Sequence, residues 1–186
     1  YAVPWPAQGL YSKKEINSVA DLKGLKFRAY NSATIRIAEL TGMAPTKIEA
    51  AEISQAFSTG AVESMITSPT TGKNKKIWEN GVGYFYDIAA WFPKNMVIVN
   101  KDAWNKLDSA TQKLVMKEAA LAERKGWDLS KKGNVADKKA LADAGMKVGK
   151  VNSALQKHFQ EVGATMAKEW ADRAGSRGAG VLAAYR

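Results

Sequence analysis

The segment from Ser109 to about Ala144 constrains the fold most. Leu114, Leu121, Trp127 and Leu141 recur through it as the apolar anchors of one helix. Ser109 and Gln112 have the spacing of a capping box, and Gly145 supplies a stop. At 1.5 Å of rise per residue, a helix of ~35 residues is ~50 Å long. That is longer than a small domain is wide. The segment therefore either breaks at Gly126 or Gly133, or bridges two bodies. A chain of 186 residues allows one domain or two small ones, with a sizeable core.

Ahead of that helix, strands and helices alternate. Asp21 and Gly24 mark a turn, and Leu25-Lys-Phe-Arg28-Ala-Tyr30 then alternates like a strand, with Leu25 and Phe27 on one face and Lys26 and Arg28 on the other. A helix is expected from Ser32 to Leu40, ended by Gly42, followed by a strand from Ala44 to Ile48. Glu52–Ser58 reads as helix and Val62–Thr67 as a buried strand that delivers Thr67, Ser68 and Pro69 to its end. Two strand–helix units in series argue for a parallel sheet. Further on, a helix is expected from Thr71 to Glu79, an aromatic strand from Tyr84 to Phe92, and a strand from Asn95 to Asn100 whose apolar run suggests burial on both faces. Trp104 falls on a short helix. Met146–Val151 reads as strand, Ser153–Ala174 as helix, and Gly175–Arg186 as a loose tail or a short last helix. Pro4 and Pro6 hold Val3 and Trp5 extended in a strand or connector that carries Trp5 and Gln8.

Arg28 stands at the C-terminal end of its strand, where an α/β sheet usually holds its ligand. A guanidinium there grips a carboxylate with two parallel hydrogen bonds. The plain alternative is a surface charge. No window of 18 apolar residues exists to span a membrane, and the opening Tyr1-Ala-Val-Pro-Trp-Pro6, without Met or basic leader, reads as a mature chain or a fragment. The absence of cysteine excludes disulfides, thiolate metal sites and a Cys nucleophile. His158 is the single histidine, which excludes multi-histidine metal sites, and it reads best as structural. No Gly-x-Gly-x-x-Gly, phosphate loop or Gly-x-Ser-x-Gly occurs, so an enzyme acting on carboxylates has weak support and no cofactor is expected. The net charge of +10 comes mostly as scattered pairs such as Lys75-Lys76 and Lys131-Lys132. It forms no dense basic stripe of the kind a nucleic-acid binder shows, so solvated lysines are expected and nucleic acid is not the expected partner.

The order of elements and several motifs resemble the C-terminal portion of the solute-binding proteins of tripartite ATP-independent periplasmic (TRAP) transporters. The matching stretches are Asp21-Leu-Lys-Gly-Leu-Lys-Phe-Arg28, Gly60-Ala-Val-Glu-Ser64 ahead of Thr67-Ser68-Pro69, and Asn100-Lys-Asp-Ala-Trp104 with Leu107 and the long helix. The resemblance implies an α/β, periplasmic-binding-protein-like lobe with a mixed, mostly parallel sheet flanked by helices. Residues 1–93 and 134–186 would form this second lobe. Residues 94–133 would be part of a first lobe whose remainder is absent, with the long helix bridging the two. Met96-Val-Ile-Val99 would then be an exposed edge, covered by the missing N-terminal half or by a second copy of the chain.

By the same resemblance the chain is periplasmic and not an enzyme. It closes on a small organic anion and docks on the membrane permease subunits. Arg28 takes the position of the family's carboxylate-pairing arginine. Asn31 matches a ligand-contacting Asn of sialic-acid-binding relatives, Gln8 stands where those relatives have a second Arg, and Ser68 falls near their binding Asn. The stretch Ser64-Met-Ile-Thr67, with Met65 and Thr67, departs from the common pattern. Trp5, Phe85 and Trp91 therefore suggest an aromatic or apolar ligand body. Each has a plainer reading: the aromatics as core, Asn31 as a helix N-cap, Ser68 as a turn residue.

Overall fold

Eight strands form two sheets in the computed structural model, which describes residues 1–185. The larger holds β2 (Gly9–Ser12), β3 (Lys26–Ala29), β4 (Ala44–Lys47), β5 (Ser64–Thr67), β6 (Tyr84–Tyr86) and β8 (Lys147–Gly149), in the order β4-β3-β5-β2-β6-β8. β3 runs parallel to β4 and β5, and β6 parallel to β8, while β2 is antiparallel to both its neighbours. The crossovers through α1 (Ser32–Thr41) and α2 (Ile53–Ser58) make the parallel half. β2 enters the sheet in the opposite sense, so the sheet is mixed.

Side-chain alternation sorts two cores onto the two faces. Leu10, Phe27, Ile66 and Tyr86 meet Ile37 of α1 and Leu155 and Val162 of α6 (Ser153–Tyr185) on one face. Tyr11, Met65 and Phe85 meet Ile53 and Phe57 of α2 and Leu141 of α5 (Ser109–Asp143) on the other. Arg36 ties α1 to α6 by a two-pronged pair with Glu169, Nε to Oε2 at 3.1 Å and NH2 to Oε1 at 2.6 Å.

The second sheet is small. β1 (Ala2–Pro4) pairs antiparallel with β7 (Lys94–Met96), and α5 packs along it. The Ala2 N–H donates to Glu123 Oε1 at 3.0 Å, and a Cβ on Gly126 would fall 2.5 Å from Val3 Cγ2. Gly126 is therefore a close-approach position rather than a break, and α5 runs unbroken for 35 residues. Its lower half is tied to the larger sheet's helices. Buried Asp137 accepts from Thr70 Oγ1 at 2.6 Å and from Lys73 Nζ at 2.8 Å, both on α3 (Pro69–Asn74), and Lys138 pairs with Asp87.

Several expectations are corrected. The N-cap of α5 is Asp108, whose carboxylate accepts the Thr111 N–H at 2.9 Å; Ser109 is the first helical residue, and Gln112 instead donates to the Trp104 carbonyl. Of the four anchors only Leu141 is buried; Leu114, Leu121 and Trp127 are exposed, on the half of α5 that packs along β1 and not on the larger sheet. The helix expected over Thr71–Glu79 is α3 followed by a 3-10 turn, Ile77–Asn80, divided where Lys76 turns left-handed at φ +44°. The aromatic strand ends at Tyr86 instead of Phe92, and the chain turns left-handed beyond it at Ala89, at φ +44°. The strand expected over Asn95–Asn100 is three residues long, and Met96, Val97, Ile98 and Val99 are exposed instead of buried on both faces, since β1 is its one sheet partner. Of the two readings of Gly175–Arg186, the helical one holds through Tyr185, beyond a kink at Gly175, and Arg186 lies outside the described residues.

Candidate functional site

β2 is antiparallel to β5, so its N-terminal end lies with the C-terminal ends of β3 and β5. Gly9 stands opposite Thr67, and Arg28 opposite Met65. This register gathers Gln8, Arg28, Thr67 and Ser68 at one edge of the sheet, the edge at which α/β folds bind ligands.

Arg28 dominates that edge. Its side chain is 4% exposed, yet no carboxylate lies within ion-pair distance among the described residues. Nε donates to the Ile48 carbonyl at 2.9 Å, and the guanidinium carbon sits 4.7 Å from the centroid of the Tyr30 ring. Among the described residues NH1 and NH2 have no hydrogen-bond partner, since Nε makes the one bond of this side chain. Burial lowers the Arg28 pKa, against the opposing pull of Tyr30 and Glu49, but a guanidinium remains a cation. A buried, unpaired cation is costly on its own and is relieved by an anion brought to it.

The other expected site residues divide. Ser68 caps α3, its Oγ accepting the Thr71 N–H at 3.1 Å, and its carbonyl accepts from Tyr11 OH at 3.0 Å. Gln8 is buried and its Nε2 donates to the Pro6 carbonyl, leaving the amide oxygen free of a protein donor among the described residues. Thr67 is buried beside them. Asn31 caps α1 through Oδ1, which accepts the Thr34 N–H at 2.8 Å, so its amide NH2 is the end left over. Met65 and Phe85 are fully buried. The Phe85 ring packs edge-on against Tyr11 at 4.7 Å and fills the space over Gly9, so Met65 and Phe85 are core and do not form a pocket wall. Trp5 is 37% exposed. Trp91 lines a cavity of about 590 Å³ between α1, α6 and the segment 88–91, together with Asn31, Ile66, Phe159 and Met166. Arg28 does not line that cavity.

Two extended segments join the sheets side by side. The Trp5 N–H donates to the Pro93 carbonyl at 2.7 Å, the Gln8 N–H to Trp91 at 3.0 Å, and the Ala90 N–H returns to Gln8 at 2.9 Å. With α5, which packs on β1 and on β8, three connections span the two sheets.

The model of the bacterial extracellular solute-binding proteins, family 7, matches residues 7–173. The chain belongs to this family. It is similar throughout its length to a Bordetella pertussis extracytoplasmic solute receptor binding pyroglutamic acid, at 42% identity and a TM-score of 0.96. It is similar likewise to a marine metagenome TRAP solute-binding protein specific for pyroglutamate, at 38% identity and a TM-score of 0.94. It spans 62% and 60% of those two chains. The sialic acid-binding periplasmic protein of Vibrio cholerae is 29% identical over 109 residues, 57% of this chain and 33% of that protein. The resemblance to TRAP solute-binding proteins and the α/β fold with a long helix thus hold for the family-7 chain. Among the described residues no helix is long and apolar enough to cross a membrane.

Sequence reasoning missed Tyr30, the Ile48 carbonyl and Asp137. Tyr30 carried a signal: a period of two places it on the face of Arg28. The Ile48 carbonyl and the Asp137 partners carried none, since each contact joins distant segments.

Proposed function

We propose that the chain is part of an extracytoplasmic solute receptor of the TRAP type, working in the periplasm and handing a small organic monocarboxylate to membrane permease subunits. The observation that carries this reading is Arg28: buried near the C-terminal end of β3, and without a carboxylate partner among the described residues. The pyroglutamate named for two relatives is a compact acid of this class. Such a receptor binds and releases its ligand unchanged.

One lobe comprises the six-stranded sheet, from residues 1–93 and 134–186, with β1 leaving it to pair with β7. Residues 94–133 belong with the other lobe, and the segments 5–8 and 90–93 with α5 form the hinge between them. Closure brings the remainder of the first lobe over the Arg28 edge. Trp5 and Trp91 are the aromatics that remain for an apolar wall.

The test is calorimetric titration of pyroglutamate into a full-length receptor containing this chain, as wild type, Arg28→Ala and Arg28→Lys. Losing the guanidinium leaves a desolvated carboxylate unpaired, which costs about 2–5 kcal/mol. Binding of the Ala variant should weaken roughly thirty-fold to several thousand-fold. Lys should rescue only part, since an ammonium lacks the planar fork. Circular dichroism should be unchanged. Binding of Arg28→Ala within about threefold of wild type would refute the clamp.

A further inference from the structure

We propose that Tyr30 is the positioning residue of the ligand clamp, its ring and the Ile48 carbonyl together holding the Arg28 guanidinium so that only its NH1/NH2 edge meets a carboxylate. The proposal rests on the reading of Arg28 given above and adds to it the orientation and the class of acid.

Arg28 and Tyr30 are two residues apart on an extended segment and share a face. The guanidinium carbon lies 4.7 Å from the Tyr30 centroid, within the range of a cation held on a ring face. Burial raises the Tyr30 pKa, so the ring stays a neutral phenol in the range where carboxylates bind. Nε is occupied by Ile48 at 2.9 Å, which removes the side-on Nε/NH2 edge from use. What remains is an end-on fork of two N–H donors, which matches one carboxylate.

The surroundings select against a second carboxylate. Arg28 is the one buried Lys or Arg among the described residues, and Glu49 lies close enough to act on its charge. Gln8, nearby, offers a neutral amide. A dicarboxylate would bring a second anion to an edge at which the described residues offer no further buried cation.

The experiment is a double-variant cycle in the full-length receptor, with pyroglutamate as the probe and glutarate as the dicarboxylate comparison, read by calorimetric Kd. Tyr30→Leu should weaken pyroglutamate about tenfold, in the range of a desolvated cation–ring contact, while Tyr30→Phe keeps the ring and stays within about threefold. Arg28→Lys has no planar fork to orient, so adding Tyr30→Leu to it should weaken binding little further. Glutarate should bind at least about tenfold more weakly than pyroglutamate to wild type. If Tyr30→Leu does not fold, Tyr30→Met carries the same expectation. Additive losses in the cycle, or Tyr30→Leu binding like wild type while Arg28→Ala fails, would overturn the positioning role and leave the clamp standing. Equal binding of glutarate and pyroglutamate would overturn the end-on selection. Arg28→Ala binding like wild type would instead remove the clamp itself.

Discussion

At the scale of single residues, burial and partner decide what a side chain does. Arg28 was legible because its position needs only local information: a period of two and a strand end. Met65 and Phe85 lie in the core, and no local pattern shows it, because their surroundings are set by register, which brings Tyr11 against Phe85 and closes the space over Gly9. The same crowding makes a residue-scale prediction. A Cβ on Gly72 would fall 2.2 Å from the Tyr11 hydroxyl oxygen. Tyr11 is fully buried and its hydroxyl is committed to the Ser68 carbonyl at 3.0 Å, so the ring has no room to swing away. Gly72→Ala should therefore destabilise the fold by about 1–3 kcal/mol, as overpacking does, read as a lower urea midpoint at unchanged slope. A midpoint equal to wild type would show that α3 shifts freely.

Among the elements, α5 ties the molecule together, and its length was readable because a helix repeat of that span admits few alternatives. Its cap was misassigned by one residue because Asp108 and Ser109 are both competent caps and only the backbone path decides. Asp137 makes the tie to α3. Removing its carboxylate leaves the Thr70 hydroxyl and the Lys73 ammonium without their acceptor, and Lys73 is half exposed, so water compensates it. Asp137→Ala should cost about 1–3 kcal/mol in urea unfolding. Asp108 adds an acid response. Its hydrogen bonds to the Thr111 hydroxyl and N–H hold its pKa below the ordinary carboxylate range. A depressed folded pKa stabilises above the unfolded value, about 4, and that stabilisation is lost as pH falls through the folded one. Wild type should thus be more stable than Asp108→Ala at pH 7, with the gap narrowing below about pH 4. A gap constant from pH 7 to pH 2 would show that the carboxylate charge plays no part in the cap.

For the whole molecule, the exposed apolar surface sets the behaviour. Met96, Val97, Ile98 and Val99 are 64%, 55%, 83% and 57% exposed, and β7 has a partner on one side only. Leu114, Met116 and Leu121 add to this on α5. An exposed apolar run beside a strand with a free edge is a pairing site, and an apolar patch of this extent is covered in most soluble proteins. The two pyroglutamate-binding relatives carry more chain than this one, and the proposed first lobe would lie over the strip. The 186-residue chain alone should then bind a hydrophobic dye and self-associate in light scattering behind size exclusion. The net charge of +10 opposes that association through mutual repulsion. Raising salt screens the repulsion while leaving the apolar attraction, so association should increase between low salt and about 1 M, where the Debye length falls to about 3 Å. In a full-length receptor the dye signal and the association should both disappear. A monodisperse monomer of this chain, unfolding in one two-state step without dye binding, would show that the strip is stable in water and that nothing needs to cover it.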